Sequence, residues 1–175
     1  ILHQALRDIL GDHVTQKGSL VSYDRLRFDF SHHKSLSLSE ITAIEDIVSD
    51  IVKSNFSVET KLMKSEEAIN SGALALFGEK YDEEVRVLSI GGENQSPYSV
   101  ELCGGTHINK TSEIGSFKII NEASVASGIR RIEALRGADL TKYEEIKLRE
   151  IQDDLEKKKE LDVSKKIDRE KIDNL

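Results

Sequence analysis

The chain holds a single cysteine, and it stands in the segment ELCGGTHINK, residues 101–110. His107 follows Cys103 four positions later, with Gly104, Gly105 and Thr106 between them. Thiolate and imidazole are donors that zinc prefers, and both can reach one ion if the loop curls. Paired glycines suit such a curl, because they let a backbone turn sharply and approach a ligand closely. Zinc takes four ligands in a structural site, or three and an open position in a catalytic one, so this pair is half of a site. The competing role for a lone cysteine is that of a small apolar filler. The remaining pattern offers no obvious second half: His13, His32 and His33 have no spacing that points to a shared ion and are read as surface or structural residues.

The half-site follows YSVELC, which pairs in pattern with VRVLSI, and a loop GGENQSP with the only proline lies between the two. Upstream, ILHQALRDILG reads as an amphipathic helix stopped by Gly11. HVTQKGSLV and RLRFDFS read as two strands joined by SYD. In the second, Leu26, Phe28 and Phe30 alternate with Arg27 and Asp29, as in a sheet with one wet face. Phe28 therefore reads as core rather than as a stacking platform. SLSEITAIEDIVSDIVKSN is the clearest helix: Ser37 and Glu40 have capping-box spacing, and Ile41, Ile44, Ile47, Val48 and Ile51 form its apolar stripe. SVETKLMK reads as a strand with Met63 in the core, and SEEAINSGALALFG as a short helix interrupted near Gly72. GSFKIINEASVASGIRRIEALRG supplies two further strands around a small-residue turn. The fold class is α/β (α+β): a mixed, largely antiparallel sheet with packed helices, then a long charged C-terminal helix. That helix, residues 139–175, contains neither glycine nor proline, and its short apolar seam would suit a coiled coil.

The 175 residues carry a net charge of −7, which disfavours gripping long nucleic acid by phosphate neutralisation but leaves room for a strand end. No apolar run is long enough to cross a bilayer. One cysteine has no internal disulfide partner, which favours a reducing cytoplasm. The chain begins with Ile1 rather than Met, so a piece of a longer protein is expected.

RFDFSH (27–32), ALFGEKYDEEVRVLSIG (75–91), ELCGGTH (101–107) and SGIRRIEALRG (127–137), together with HVTQKGSLV (13–21), closely resemble the editing domain of alanyl-tRNA synthetases. The resemblance runs in the family's order from the first residues to about Gly137. It implies an editing domain over residues 1–138, truncated at its N-terminus, and a helical linker arm over 139–175. It also implies zinc: the second ligand pair is Cys103 and His107, and the first is a His-x-x-x-His on a helix. That pair would fall just before Ile1, leaving the zinc site weak or unoccupied in this chain. His3 matches no ligand position.

The implied activity is hydrolysis of the ester on seryl- and glycyl-tRNA(Ala). Gln16 matches a position tied to editing, and its amide can both donate and accept. Lys17, Gly18 and Ser19 continue its motif as substrate-binding residues. Gly104, Gly105 and Thr106 are candidates for contacting the amino acid, and Lys17, Arg130 and Arg131 for the phosphates near the tRNA 3′ end. The other partners implied are the remaining domains of the parent synthetase. Alternative readings are a free-standing trans-editing deacylase, and a non-catalytic tRNA-binding or assembly module.

Overall fold

The computed structural model describes residues 1–70, 73, 83–92 and 96–173, with side chains up to residue 161. The fold is mixed α/β, and every strand pairing among the described residues is antiparallel. The strands form two sheets rather than one, of order β1-β2-β7-β6 and β3-β4-β5. The first contains β1 (Gln16–Val21), β2 (Leu26–Ser31), β6 (Phe117–Ala126) and β7 (Ile129–Arg136). The second contains β3 (Val58–Lys64), β4 (Glu84–Ile90) and β5 (Ser99–Leu102). Contacts divide the chain into two compact units, Ile1–Gly137 and Ala138–Leu175.

Helices α1 (Leu2–Leu10) and α2 (Leu38–Lys53) supply one side of the main core. Leu2, Ala5 and Leu6 of α1 and Ile44, Val48 and Val52 of α2 pack with Phe28, Phe30, Ile119, Ile132 and Ala134 from the four-stranded sheet. The apolar period of α2 encodes this face, and Val52 extends the stripe where Ile51 stays half-buried. Its start is set by the expected capping box: Glu40 N–H donates to Ser37 Oγ at 3.2 Å, and Ser37 N–H donates to Glu40 Oε2 at 2.7 Å. The bonds that Ser37 N–H and Ser37 Oγ donate to the Glu40 carboxylate, with Lys34, hold it down at about 2.

Phe28 and Phe30 are core, as their alternation requires, but the opposite face of β2 is not simply wet. Asp29 is buried because Arg131 on neighbouring β7 donates to both its oxygens at 2.7 and 2.8 Å. A carboxylate held by a planar guanidinium in two parallel bonds does not need water to stay charged. The Arg131 hydrogen bond is the main reason its pKa lies below the usual range, outweighing burial.

A second, smaller cluster joins Ala68 of α3 (Ser65–Asn70) to Ala73, Val85 and Val87, with Met63 partly buried against it. The helix read from SEEAINSGALALFG is seen as far as Asn70; its interruption near Gly72 lies outside the described residues, as do residues 93–95 of the GGENQSP loop.

The second unit is helical: α4 runs Gly137–Asp173. Ile146, Leu148, Ile151 and Leu155 are exposed on it, and Lys147 bonds Glu150 at 2.7 Å. No helix among the described residues is long and apolar enough to cross a membrane.

Candidate functional site

Cys103 leaves β5 at once into the glycine pair, and the structure turns the loop back on itself. A Cβ placed on Gly105 would have Cys103 Sγ at 3.7 Å and His107 Nε2 at 4.0 Å as its nearest atoms. The two donor atoms thus flank one point of the loop, each at ordinary contact distance from it. Arg86, on β4, fixes this shape. Its guanidinium donates to Gly105 O at 2.7 Å, while its backbone carbonyl accepts from Cys103 N–H at 3.1 Å. Sequence reasoning missed Arg86, although β4 and β5 pair in register beside it through Val87 and Leu102. Gly104, Gly105, Thr106 and His107 are exposed, and Cys103 is a half-buried free thiol.

His107 is held below its ordinary pKa by desolvation, then by the Arg86 cation, against an opposing effect of Glu101. At Glu101 burial alone would raise the pKa, but the hydrogen bond and charge of His3 and the hydrogen bond from Ser99 leave it lowered. The start of α1 lies beside β5, the strand that leads into the loop. His3 bridges the two sheets from there, with Nδ1 3.5 Å from Glu101 Oε1 on β5 and its ring 5.6 Å from that of Phe28 on β2. Soft sulfur and neutral imidazole converging on one loop suit zinc, so the residues present fit one half of a tetrahedral site.

Gln16 opens β1 opposite Phe30, and a bulge at Lys17 separates that pair from Gly18↔Asp29. Lys17 and Ser19 are exposed, while Gln16 and Gly18 are half-buried. Among the described residues the Gln16 amide has no hydrogen-bond partner. Gly18 lies over Asp29, where a Cβ would sit 3.4 Å from Oδ2. The two arginines considered for phosphate are both engaged. Arg130 donates to Glu122 through Nη2 at 2.6 Å with both side chains nearly buried, and Arg131 holds Asp29. Lys17 is the cation of this group without such a partner among the described residues.

His13, His32 and His33, read from sequence as surface or structural residues with no spacing that points to a shared ion, come together in the structure. Their candidate ligand atoms all lie within 4.8 Å of one another, a grouping that could hold a metal. His13 Nε2 and His32 Nδ1 share a hydrogen bond of 2.8 Å, and the His33 ring centroid is 4.8 Å from that of His32. Local spacing could not reveal this, because β1–β2 pairing brings the lead-in of one strand to the exit of the other. His32 is buried, and desolvation, then the neighbouring His13, His33 and Lys34 charges, lower its pKa.

An appended domain of the kind carried by tRNA synthetases accounts for this combination of fold and half-site. Residues 85–133, from β4 into β7 and including Cys103 and His107, match the family described as the threonyl and alanyl tRNA synthetase second additional domain. The chain belongs to the alanyl branch of that family. It is 58% identical over 146 residues to an alanine–tRNA ligase of Parvibaculum lavamentivorans, covering 82% of the chain and 16% of the relative. It is 53% identical over 143 residues to that of Pseudoalteromonas translucida, covering 82% and 16%. With the enzyme of Paramagnetospirillum magneticum it shares 60% over 137 residues, covering 78% and 15%. The chain spans about a sixth of the length of the curated relatives it matches.

Proposed function

We propose that this chain is the editing domain of a cytoplasmic alanine–tRNA ligase, hydrolysing seryl- and glycyl-tRNA(Ala). A pocket sized for alanine rejects glycine poorly, since a smaller side chain always fits, and rejects serine weakly, since it adds only a hydroxyl. A separate hydrolytic site is the chemical remedy. Water attacks the ester carbonyl, the bond to the ribose oxygen breaks, and the products are the free amino acid and a tRNA with its terminal hydroxyl restored.

The observation that carries the reading is the convergence of Cys103 and His107 across a glycine pair clamped by Arg86, within the matched family segment. Cys103 and His107 would hold zinc, with further ligands from a part of the protein outside these residues reaching the loop past Ile1. When bound, the ion supplies Lewis-acid anchoring of the end of the aminoacyl-tRNA. Gln16, with its amide uncommitted, positions the attacking water. The exposed Gly104, Gly105 and Thr106 face the amino acid. Gly18 and Ser19 line the approach, and Lys17 meets a phosphate. Arg130 contributes only if substrate draws it from Glu122. The domain spans 1–138, and 139–175 links it to the remaining domains of the synthetase, as a coiled coil or as a lone arm.

The test compares deacylation of seryl-, glycyl- and alanyl-tRNA(Ala) by an alanine–tRNA ligase containing this chain, with and without Gln16→His. Seryl- and glycyl-tRNA should be cleared in preference to alanyl-tRNA, and the substitution should slow seryl-tRNA clearance by about 10²-fold, the scale of one well-placed polar group. Equal rates in the two proteins would remove Gln16 from the site. No deacylation by either would favour a tRNA-binding module.

A further inference from the structure

The histidine cluster is the strongest group of ligand-type side chains that the editing reading leaves unused. It sits at the end of the four-stranded sheet where the exit of α1, the start of β1, the end of β2 and the β6–β7 turn come together. His13 is placed there by local chemistry. Gly11 closes α1 with φ 111°, a conformation that side-chain-bearing residues rarely adopt. A Cβ at Gly11 would also come within 3.2 Å of His13 Nδ1. Arg7 then reaches forward to accepting carbonyls on both sides of His13, Asp12 O at 2.8 Å and Val14 O at 3.0 Å. His32 is fixed from the other side, its backbone N–H donating to Gly128 O at 3.0 Å. Ser31 Oγ ties the two strands just behind them, donating to His13 O at 2.8 Å and accepting from Thr15 N–H at 2.9 Å.

We propose that His13, His32 and His33 form a metal site distinct from the Cys103–His107 loop, taking a divalent late first-row transition ion such as Zn²⁺. Three imidazole nitrogens within 4.8 Å need only small side-chain rotations to reach ligand spacing around one ion. The His13–His32 bond would open, each neutral ring keeping its proton on the nitrogen that faces away from the ion. The cluster combines a buried anchor with accessible partners: His32 is buried, whereas His13 and His33 are exposed, so an ion can reach it from solvent.

The donor set decides the kind of ion. The neighbouring carboxylates are committed elsewhere, Asp12 to Arg7 at 2.9 Å and Glu40 to the cap of α2. An all-nitrogen site with a position left for water selects zinc, copper, nickel or cobalt over magnesium or calcium.

The experiment titrates Co²⁺ and Zn²⁺ into the untagged chain carrying Cys103→Ser and His107→Ala, so that the loop cannot contribute. Visible absorption of Co²⁺ and calorimetry of Zn²⁺ report binding, and Mg²⁺ serves as the control. One ion should bind with a nitrogen-ligand spectrum. Adding His33→Ala or His13→Ala should weaken binding at least about tenfold, the loss that removing even an outer-shell partner of a metal site causes. Both positions are exposed, so circular dichroism should show the fold intact. No binding in the loop-disabled protein, or equal binding with and without His33, would overturn the proposal.

Discussion

The exit of the Cys103–His107 loop depends on one buried hydroxyl, and replacing Thr111 by valine isolates its contribution. Thr111 is fully buried in a single 3-10 turn, Thr111–Ile114. Its Oγ1 donates to Ile51 O at 2.7 Å and accepts from Phe56 N–H at 2.9 Å. These bonds complete the end of α2, where the Asn55 amide goes to Val52 O instead of Ile51 O. Just before this turn, Asn109 O accepts from Val58 N–H at 2.9 Å, which joins the loop's exit to β3. Valine keeps the shape but leaves a backbone carbonyl and a backbone amide without their partner, at about 1–1.5 kcal/mol each. Thr111→Val should therefore destabilise the 1–137 unit by about 2–3 kcal/mol, and lower its Tm by roughly 6–9 °C for a body of this size. Thr111→Ser retains both bonds and loses one methyl, about 1 kcal/mol. Urea and thermal unfolding followed by circular dichroism, with amide exchange at Phe56, measure the difference. If the valine protein is no less stable than the serine protein, the hydroxyl does not hold the loop exit and the reasoning fails.

Arg86→Gln should release the glycine pair while barely changing global unfolding. An exposed charge-assisted bond is worth about 1 kcal/mol, so amide exchange across residues 104–106 should quicken about fivefold. Gly11→Ala combines a disfavoured φ with a close approach to His13 and should cost roughly 1–3 kcal/mol, read from the urea midpoint. Acid should weaken the fold through two depressed carboxyls. Glu40 and Asp29 contribute stability that is fully present above their unfolded pKa values, and it is lost as pH falls through the folded ones, for Glu40 about 2. Glu40→Gln should flatten the part of the stability–pH curve below about pH 4.5, the ordinary Glu range.

Much of the framework was legible along the chain because it is encoded locally. The capping box of Ser37 and Glu40 is a three-residue relation, and the α2 stripe repeats with the helical turn, so both are visible without a partner. The alternation of Leu26, Phe28 and Phe30 exposed the core face of β2 for the same reason. The division into two sheets was not legible, because it depends on which strands find each other. Asp29 was read as solvated, since nothing near it in sequence announces Arg131, 102 positions away. Arg130 was a candidate for phosphate, and nothing near it in sequence announced the cross-strand carboxylate of Glu122 that holds it.

The sequence by itself determined the family, the Cys103–His107 pair and the helices and strands that carry them, all of which rest on short-range motifs and periodicities. Only the tertiary structure decided that Arg86 clamps the glycine pair, that His3 spans from one sheet to the other, and that His13 meets His32 and His33. Those relations come from strand register and from side chains meeting across elements. A histidine 19 positions away becomes a hydrogen-bonded neighbour when the intervening chain folds back on itself as an antiparallel pair.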